Sequence, residues 1–259
     1  MRLNPRQSEI VELLEFGHRV RVGELAQRFG VSNMTIRRDL SHLEEQGLVV
    51  RTHGGGVATG SLRFLHALLS RREASPLKTA IGRRAARLIE PGQTIMVDTG
   101  TTALEVARRV PPDTSITVVT SSLLVAEELF GGPAKVLLLG GLLGSELPSV
   151  YGPLTESTLA GLQVDLLFMG CDGADSREGF YTADVHLSSL EQAMIRSAQR
   201  VVLVTESEKF RQRALVRTAP PEAIHTLVTD RGLSAEDEAN LAEAGVRIMF
   251  CGEEANVLT

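Results

Sequence analysis

The segment TIMVDTGTTAL, residues 94–104, contains the residue types of a phosphate-binding loop. An apolar run leads into Asp98, and Gly100 lets the backbone turn tightly before a helix predicted to begin near Thr102. Free N–H groups at a helix start and the hydroxyls of Thr101 and Thr102 would all donate hydrogen bonds to an anion. Asp98 or a threonine could instead only cap the helix. Spacing alone therefore supports an anion site and a cap equally.

Small or polar loops also follow three later apolar runs. These loops contain Thr120, Ser121 and Ser122, then Gly140 and Gly141, and finally the segment GCDG at 170–173. If the runs are parallel strands, their loops meet at one edge of the sheet, where α/β proteins bind ligands. Each loop alone is a weak signal, because glycine is also a common turn residue. Together they indicate one crevice that includes the loop at Asp98.

A second segment, SNMTIRRDL at residues 32–40, has the residue types that read DNA bases. Ser32 can cap a helix over 33–46 that turns Ile36 and Leu40 towards a core. The polar residues left outside are Asn33, Thr35, Arg37 and Arg38. Arginine can pair with guanine, and asparagine with adenine, through two hydrogen bonds. Just beyond, Arg51 and His53 lie in a strand and glycine-rich turn, LVVRTHGGG, that could contact the DNA backbone or minor groove.

The elements around SNMTIRRDL predict a winged helix-turn-helix. Helices are expected over 5–16, 22–29 and 33–46, with Gly30 ending the second, and the third helix would enter the major groove. Other interpretations stay open at this point. The arginine pair could be a solvated face, Asp39 could pair with an arginine from the preceding region, and winged helices also bind proteins.

From Thr94 onwards, short apolar runs alternate with amphipathic helices. This pattern is typical of a mainly parallel sheet covered by helices on both faces, so the fold class is α/β with a Rossmann-like second domain. We predict three parts. They are a DNA-binding domain at 1–57, a linker at 58–77, and a sensor domain at 78–259 that begins with a helix over 78–90.

Composition narrows the class of protein. The chain has 259 residues and a net charge of −5, and it lacks the apolar run of about 20 residues that a membrane span needs. Two cysteines without a CxxC spacing predict neither disulfides nor structural zinc, so we expect a cytoplasmic protein without a metal or cofactor. The charge is uneven. Residues 1–60 hold eight arginines and seven acidic residues, residues 61–90 have a net charge of +5, and the remainder is acidic.

The stretch ELAQRFGVSNMTIRRDLSHLEEQGLVVRTHGGG resembles the N-terminal signature of the DeoR family of bacterial transcriptional regulators. The resemblance covers roughly residues 5–57 and is more distinctive than a generic helix-turn-helix. It implies sequence-specific binding of double-stranded operator DNA, usually repression, by a multimer. The recognition residues it implies are Ser32, Thr35, Arg37 and Arg38, with Arg51 and His53 in the wing.

Residues 71–230 resemble the sensor domain of the same family, which is related in fold to ribose-5-phosphate isomerase and CoA-transferase domains. This resemblance implies that a small-molecule effector, a sugar phosphate or similar metabolite, controls operator binding. Including the TSS loop, the residues expected at the effector site are Asp98, Gly100, Thr101, Thr102, Thr120, Ser121, Ser122, Gly140, Gly141 and Lys209.

Four positions in three segments depart from the family pattern. Ser121 stands where asparagine is usual, Ser189 and Glu191 stand where glutamate and lysine are usual, and Glu206 replaces aspartate. An acid in place of lysine should weaken phosphate binding if Glu191 faces the ligand, and would suit a neutral or cationic ligand. Glu191 could instead lie on the surface.

The sequence favours a ligand-responsive repressor that is not an enzyme. The alternatives are a sugar-phosphate isomerase-like enzyme, in which Asp98 would act as a base, and a protein-interaction module fused to a sensor. Against catalysis, the matching loops offer no clear second acid or base. One winged helix covers a DNA half-site, so we expect a homodimer or higher homo-oligomer.

Overall fold

A computed structural model describes residues 3–17, 19–59, 75–144 and 147–252. Most of the predicted linker at 58–77 lies outside these residues. The described chain falls into two compact units, one on each side of this gap. Each unit is described by itself.

The N-terminal unit contains three helices and three short strands. In chain order they are α1 (Pro5–Gly17), β1 (Arg19–Arg21), α2 (Val22–Phe29), α3 (Asn33–Glu45), β2 (Val49–Thr52) and β3 (Gly55–Ala58). The strands form an antiparallel sheet in the order β1-β3-β2. The three predicted helices are confirmed to within one residue at each end. Strands β1 and β3 were missed, because RVR and GGVA show no run of alternating apolar residues.

Local residue chemistry sets these boundaries. Gly30 ends α2 with φ of +64°, a left-handed conformation that glycine adopts without strain. Gly55 permits a close approach, since a Cβ there would overlap the carbonyl oxygen of Val20. The helices and sheet enclose one apolar core that consists of Ile10, Leu14, Val20, Val22, Leu25, Ile36, Leu40, Leu43, Leu48, Val49 and Ala58.

The second unit begins with helices that alternate with strands. In chain order its elements are α4 (Pro76–Ala86), β4 (Thr94–Val97), α5 (Thr101–Ala107), β5 (Thr117–Thr120), α6 (Leu123–Leu129), β6 (Lys135–Leu138), β7 (Leu142–Leu143), β8 (Val150–Tyr151), α7 (Pro153–Ala160), β9 (Val164–Met169), β10 (Gly173–Asp175), β11 (Gly179–Thr182), α8 (Val185–Ser197), β12 (Ala198–Val204), β13 (Val216–Ala219), β14 (Thr226–Thr229), α9 (Ala235–Glu243) and β15 (Arg247–Phe250). Two short 3-10 helices, Ser207–Arg211 and Pro221–Ala223, follow β12 and β13.

Seven of these strands form a sheet in the order β15-β14-β12-β9-β4-β5-β6, in which every neighbouring pair is parallel. The chain builds outwards from β4 through β5 and β6. It then returns to the other side of β4 at β9 and continues through β12, β14 and β15. The strand order therefore reverses between β4 and β9, which is where open α/β sheets form a ligand crevice. The predicted α/β class is confirmed.

Two local predictions for this unit were wrong. The helix predicted over 78–90 is α4, Pro76–Ala86: Pro76 opens it, and its cap Ser75 accepts a hydrogen bond from the Lys78 N–H at 3.2 Å. Strand β6 is not covered on both faces. It is an edge strand, and its Leu137 and Leu138 are 42% and 43% exposed.

Candidate DNA-binding surface and effector site

Helix α3 begins with a capping interaction within SNMTIRRDL. The Ser32 hydroxyl accepts a hydrogen bond from the Thr35 N–H at 3.2 Å, and the two hydroxyls are 2.9 Å apart. Ser32 therefore fixes the start of the helix, as expected. The side chains of Asn33, Arg37 and Arg38 are exposed on the outer surface of α3.

A buried carboxylate fixes α3 against α1. Asp39 is 4% exposed and accepts hydrogen bonds from Arg6 Nε at 2.6 Å and from Gln7 Nε2 at 3.1 Å. This is the pairing expected between Asp39 and an earlier arginine. The hydrogen bond to Asp39 raises the pKa of Arg6, so the pairing favours the charged guanidinium. The orientation of α3 is thus set by a polar contact as well as by the core.

Helix α3 and the β2–β3 hairpin form a shallow groove of about 270 Å³. Three of the predicted DNA-contacting residues line it, namely Arg37, Arg51 and His53. The Arg51 guanidinium donates to the Ser41 hydroxyl at 3.0 Å, and the Arg51 N–H donates to Glu44 Oε1 at 3.2 Å. The wing is therefore attached to the second half of α3. Arg38 is exposed on α3 but is not part of the groove lining.

Met34 was not among the residues predicted to contact DNA. It lies in the first turn of α3 and is 59% exposed. An apolar side chain exposed between Asn33 and Thr35 is unusual in a helix whose other apolar residues face the core. Apolar side chains at this position of a recognition helix can contact thymine methyl groups. The signal available in the sequence was this single apolar residue on the polar side of the helix.

In the second unit, the predicted loop DTGTT lies at the reversal of strand order. The Asp98 N–H donates to the Phe168 carbonyl at 3.0 Å, and the Gly170 N–H lies 3.5 Å from Asp98 Oδ2. Helix α5 begins at Thr101, one residue earlier than predicted, and its cap is Gly100 without a side-chain capping bond. The residue at the cap position is therefore neither Asp98 nor a threonine.

Four other predicted residues make contacts within the fold. The Thr120 hydroxyl donates to the Val97 carbonyl at 2.7 Å, and the Ser122 hydroxyl caps α6. The Gly140 carbonyl accepts from the Thr155 hydroxyl at 2.8 Å. A Cβ at Gly141 would lie 2.6 Å from the Tyr151 carbonyl oxygen, so this glycine is needed for packing.

Two other buried hydroxyls near this edge make no hydrogen bond within the described residues. Ser121 and Ser149 are 0% and 1% exposed, and their Oγ atoms have no hydrogen-bond partner among the described residues. Their segments are adjacent, because Ser122 and Ser149 form an isolated antiparallel bridge. Two residues after Ser149, the Tyr151 ring stacks on His186 at the start of α8, with ring centroids 5.3 Å apart.

Glu191 of α8 is buried, which excludes the alternative that it lies on the surface. It is 6% exposed, and its Oε2 accepts from the Thr218 hydroxyl at 2.8 Å. Burial raises the pKa of Glu191 to about 9, and the nearby charge of Asp98 contributes next. Asp172 and Asp184 act in the same direction. The charge of Asp98, in the loop that was predicted to hold phosphate, therefore opposes ionisation of this acid.

Lys209 lies near the same edge, in the 3-10 helix after β12. Burial raises the pKa of the Cys171 thiol to about 12, while the charge of Lys209 opposes this shift and those of Glu191 and Asp172 add to it. The thiol lies 3.5 Å from the Thr205 hydroxyl. Lys209 thus shares its surroundings with two carboxyl groups.

Comparison with known proteins decides between the classes of protein considered above. Residues 6–61 match the family model described as DeoR-like helix-turn-helix domain, and residues 73–231 match the DeoR C terminal sensor domain. The chain belongs to the DeoR family. It is therefore a DNA-binding transcriptional regulator with a sensor domain, and the family consists of regulators rather than enzymes.

Curated relatives of this DeoR-family chain are similar over nearly their whole length. The transcriptional regulator GlpR of Haloferax volcanii is 36% identical over 94% of this chain and 96% of its own length. The repressor AccR of Agrobacterium fabrum is 36% identical over 88% and 89%. The glycerol-3-phosphate regulon repressor of Escherichia coli is 31% identical over 89% and 92%.

Solved structures give weaker matches. The sorbitol operon regulator SorC of Klebsiella pneumoniae is 16% identical, covers 93% of this DeoR-family chain and 100% of its own, and has a TM-score of 0.39. Ribose 5-phosphate isomerase A of Methanocaldococcus jannaschii is 15% identical over 51% and 52%, with a TM-score of 0.36. These scores are too low to carry an argument about function. Within the described ranges, each helix is too short or too polar to cross a bilayer.

Proposed function

We propose that this DeoR-family regulator represses carbohydrate or related metabolic genes, and that a small metabolite bound in its second unit controls operator binding. The observation that carries the DNA part is the groove in which Arg37 of α3 lies beside Arg51 and His53 of the wing. Cationic and imidazole side chains on a helix and an adjacent hairpin suit simultaneous contact with base edges and phosphates. Relatives named as regulators of metabolic genes, among them a glycerol-3-phosphate regulon repressor, support the carbohydrate assignment.

Within this proposal, the residues of α3 have different roles. Asn33, Arg37 and Arg38 contact bases or phosphates, because they are exposed on the outer side of the helix. Ser32 and Thr35 mainly fix the helix start, since their hydroxyls are already hydrogen bonded to each other or to the backbone. Helix starts also attract phosphate, which would place this end of α3 against the DNA backbone.

The effector is proposed to bind where the strand order reverses between β4 and β9. The loop after β4 contains Asp98 and Gly100 and leads into α5 at Thr101. Gly170 directly follows β9. Crevices of this kind are the usual ligand sites of open α/β sheets. Thr120, Ser122, Gly140 and Gly141 then shape the surrounding loops, because their polar or close contacts are made within the fold.

A homo-oligomer is part of the proposal, because one winged helix covers only half of a symmetric operator. The edge strand β6 and the following β7 expose four leucines, Leu137, Leu138, Leu142 and Leu143, at 42% to 63%. Exposed apolar side chains on an edge strand favour association with another chain. Because the other half of the operator needs a second winged helix, the chain proposed to bind at this edge is a second copy of this protein.

The DNA proposal is tested by fluorescence anisotropy with the natural upstream DNA of this gene. Arg37→Ala and Arg38→Ala should each weaken binding by about 10- to 100-fold, the loss expected for one base or phosphate contact. Arg200→Ala removes an exposed arginine from the other unit and should leave binding unchanged. Equal affinity of all four proteins would refute the assignment of α3 as the recognition helix.

A further inference from the structure

Four polar side chains are buried at the sheet edge where the strand order reverses. Asp98, Ser121, Ser149 and Glu191 are between 0% and 6% exposed. They come from the loops after β4 and β5, from the segment that leads into β8, and from α8. Helix α8 packs against both β8 and β9, so it covers this edge. Four segments that are distant in sequence therefore contribute buried polar side chains at this end of the sheet, where the strand-order reversal predicts a ligand crevice.

The strand register brings Ser121 beside Asp98. Met96 of β4 pairs with Val119 of β5, so two residues later Asp98 and Ser121 lie side by side. Residues in register on neighbouring parallel strands point to the same face of the sheet. The charge of Asp98 also acts on Glu191, whose helix α8 packs against β8 and β9, so both carboxyl groups belong to this end of the sheet.

The hydroxyls of Ser121 and Ser149 have bonding capacity that the fold does not use. Both are buried without a partner among the described residues, whereas the neighbouring hydroxyls of Thr120 and Ser122 are hydrogen bonded. Buried polar atoms are nearly always paired in folded proteins. Two unpaired hydroxyls beside two carboxyl groups indicate that a polar ligand completes this crevice.

The charge of the crevice is unfavourable for phosphate. Asp98, Asp172 and Asp184 all act on Glu191, and the charge of Lys209 reaches the neighbouring Cys171. Asp172 accepts from the Ala183 N–H at 2.8 Å, and Asp184 accepts from the His186 N–H at 2.7 Å. A phosphate dianion placed against the Asp98 carboxylate would be repelled strongly, because the surroundings are buried.

We infer that this crevice binds an unphosphorylated ligand that presents hydroxyl or ammonium hydrogen-bond donors to Asp98 and Glu191. This inference rests on the proposed effector function of the second unit. The Asp98 carboxylate and the carbonyl oxygen of a protonated Glu191 both accept such donors, and the Ser121 and Ser149 hydroxyls can donate to and accept from the same ligand groups. The ligand class is a polyol, sugar or amine, in place of the sugar phosphate that the family resemblance implies.

The test uses the full chain and the same labelled upstream DNA. Unphosphorylated polyols, sugars and amino sugars are added, each beside its own phosphate ester, together with inorganic phosphate. At least one unphosphorylated compound should change DNA affinity by fivefold or more, while its ester and inorganic phosphate should not. An effect of the ester alone would overturn the inference, as would a protein that binds DNA and responds to no unphosphorylated compound. Failure to bind DNA without any ligand would instead contradict the proposed function.

Two variants separate the site from general folding effects. Glu191→Lys should abolish the response to the active compound and gain thermal stabilisation by inorganic phosphate, whereas Ser189→Lys, on an exposed position of α8, should do neither. If Glu191→Lys does not fold, the double variant Ser121→Ala, Ser149→Ala should weaken the active compound about tenfold with DNA affinity unchanged. An unaltered response in these variants would count against the inference.

The pH dependence of binding distinguishes the two donor types. An ammonium ligand displaces the proton of Glu191, so its affinity should rise by up to about tenfold per pH unit between pH 6 and 8. The affinity of an uncharged polyol should not rise over that range. A phosphate ester whose affinity rose with pH would contradict the inference for the ammonium ligand and for the polyol alike.

Discussion

Arg51 in the wing donates a hydrogen bond to the Ser41 hydroxyl of α3 at 3.0 Å. The contact joins a strand of the hairpin to the helix proposed to enter the major groove. It orients the Arg51 guanidinium within the groove that Arg37 also lines. The wing and the helix can therefore approach DNA as one surface.

Arg51→Ala should lower operator affinity about tenfold and reduce the salt dependence of binding by about one phosphate contact. Ser41→Ala should have a smaller effect, about two- to fivefold, with the salt dependence unchanged. The Arg51 charge remains, but it loses the hydrogen bond that orients it. Anisotropy titrations at several salt concentrations measure both quantities. A larger loss in Ser41→Ala than in Arg51→Ala would mean that Ser41 itself contacts DNA.

Asp39→Ala should destabilise the N-terminal unit by about 2 kcal/mol, because it leaves Arg6 and Gln7 without their shared acceptor. The matched control is Glu9→Ala, which breaks an ion pair with Arg28 on the exposed surface. That change should cost less than about 1 kcal/mol. Urea unfolding followed by circular dichroism compares the two. Equal losses would show that the buried position of Asp39 does not matter.

The stability of the second unit should fall as the pH rises towards 9. The pKa of Glu191 is raised to about 9, from an unfolded value of about 4.3. Between these values the folded chain holds a proton that the unfolded chain has lost, so the free energy of unfolding decreases as pH increases. Relative to the wild type, Glu191→Gln should therefore raise the melting temperature more at pH 8.5 than at pH 5.5, by roughly 10 °C.

Glu208→Gln, at an exposed glutamate of the same unit, is the control for the melting experiment and should leave the pH dependence as in the wild type. Differential scanning fluorimetry across the pH range gives the comparison. A wild-type protein that became more stable between pH 5.5 and 8.5, with no change in Glu191→Gln, would contradict a protonated Glu191.

The paired change Leu137→Glu, Leu142→Glu should reduce the oligomer to monomers, because it places charges on the edge proposed to meet a second copy. Leu215→Glu alters a leucine that is 75% exposed elsewhere in the same unit and should leave the molecular mass unchanged. Light scattering on a size-exclusion column reports the mass. A wild-type monomer, or a double variant with the wild-type mass, would exclude this interface.

Local chemistry made much of the N-terminal unit predictable. Ser32 as a cap, Gly30 as a helix end and the inward-facing Ile36 and Leu40 are all set by neighbours a few residues away. The same reasoning missed β3, because glycines packed against the Val20 backbone carry no apolar pattern. The family resemblance supplied what periodicity could not, namely that the helices form a DNA-binding surface.

The candidate effector site was only partly predictable. The loop after β4 could be located from its residues, but the burial of Glu191 depends on how α8 packs against β8 and β9. Its helical neighbours, including Ser189, do not reveal which side faces the crevice. The exposure of Leu137 likewise follows from the position of β6 at the edge, which is a property of the strand order.

The reversal of strand order also has a consequence for synthesis of the chain. Asp98 and Gly170 face each other across it although 72 positions separate them in sequence. A nascent chain that contains β4, β5 and β6 but not β9 lacks one side of the crevice. That side forms only when β9 pairs with β4. An unfinished or truncated polypeptide could therefore present its complete winged helix to DNA while being unable to sense a metabolite.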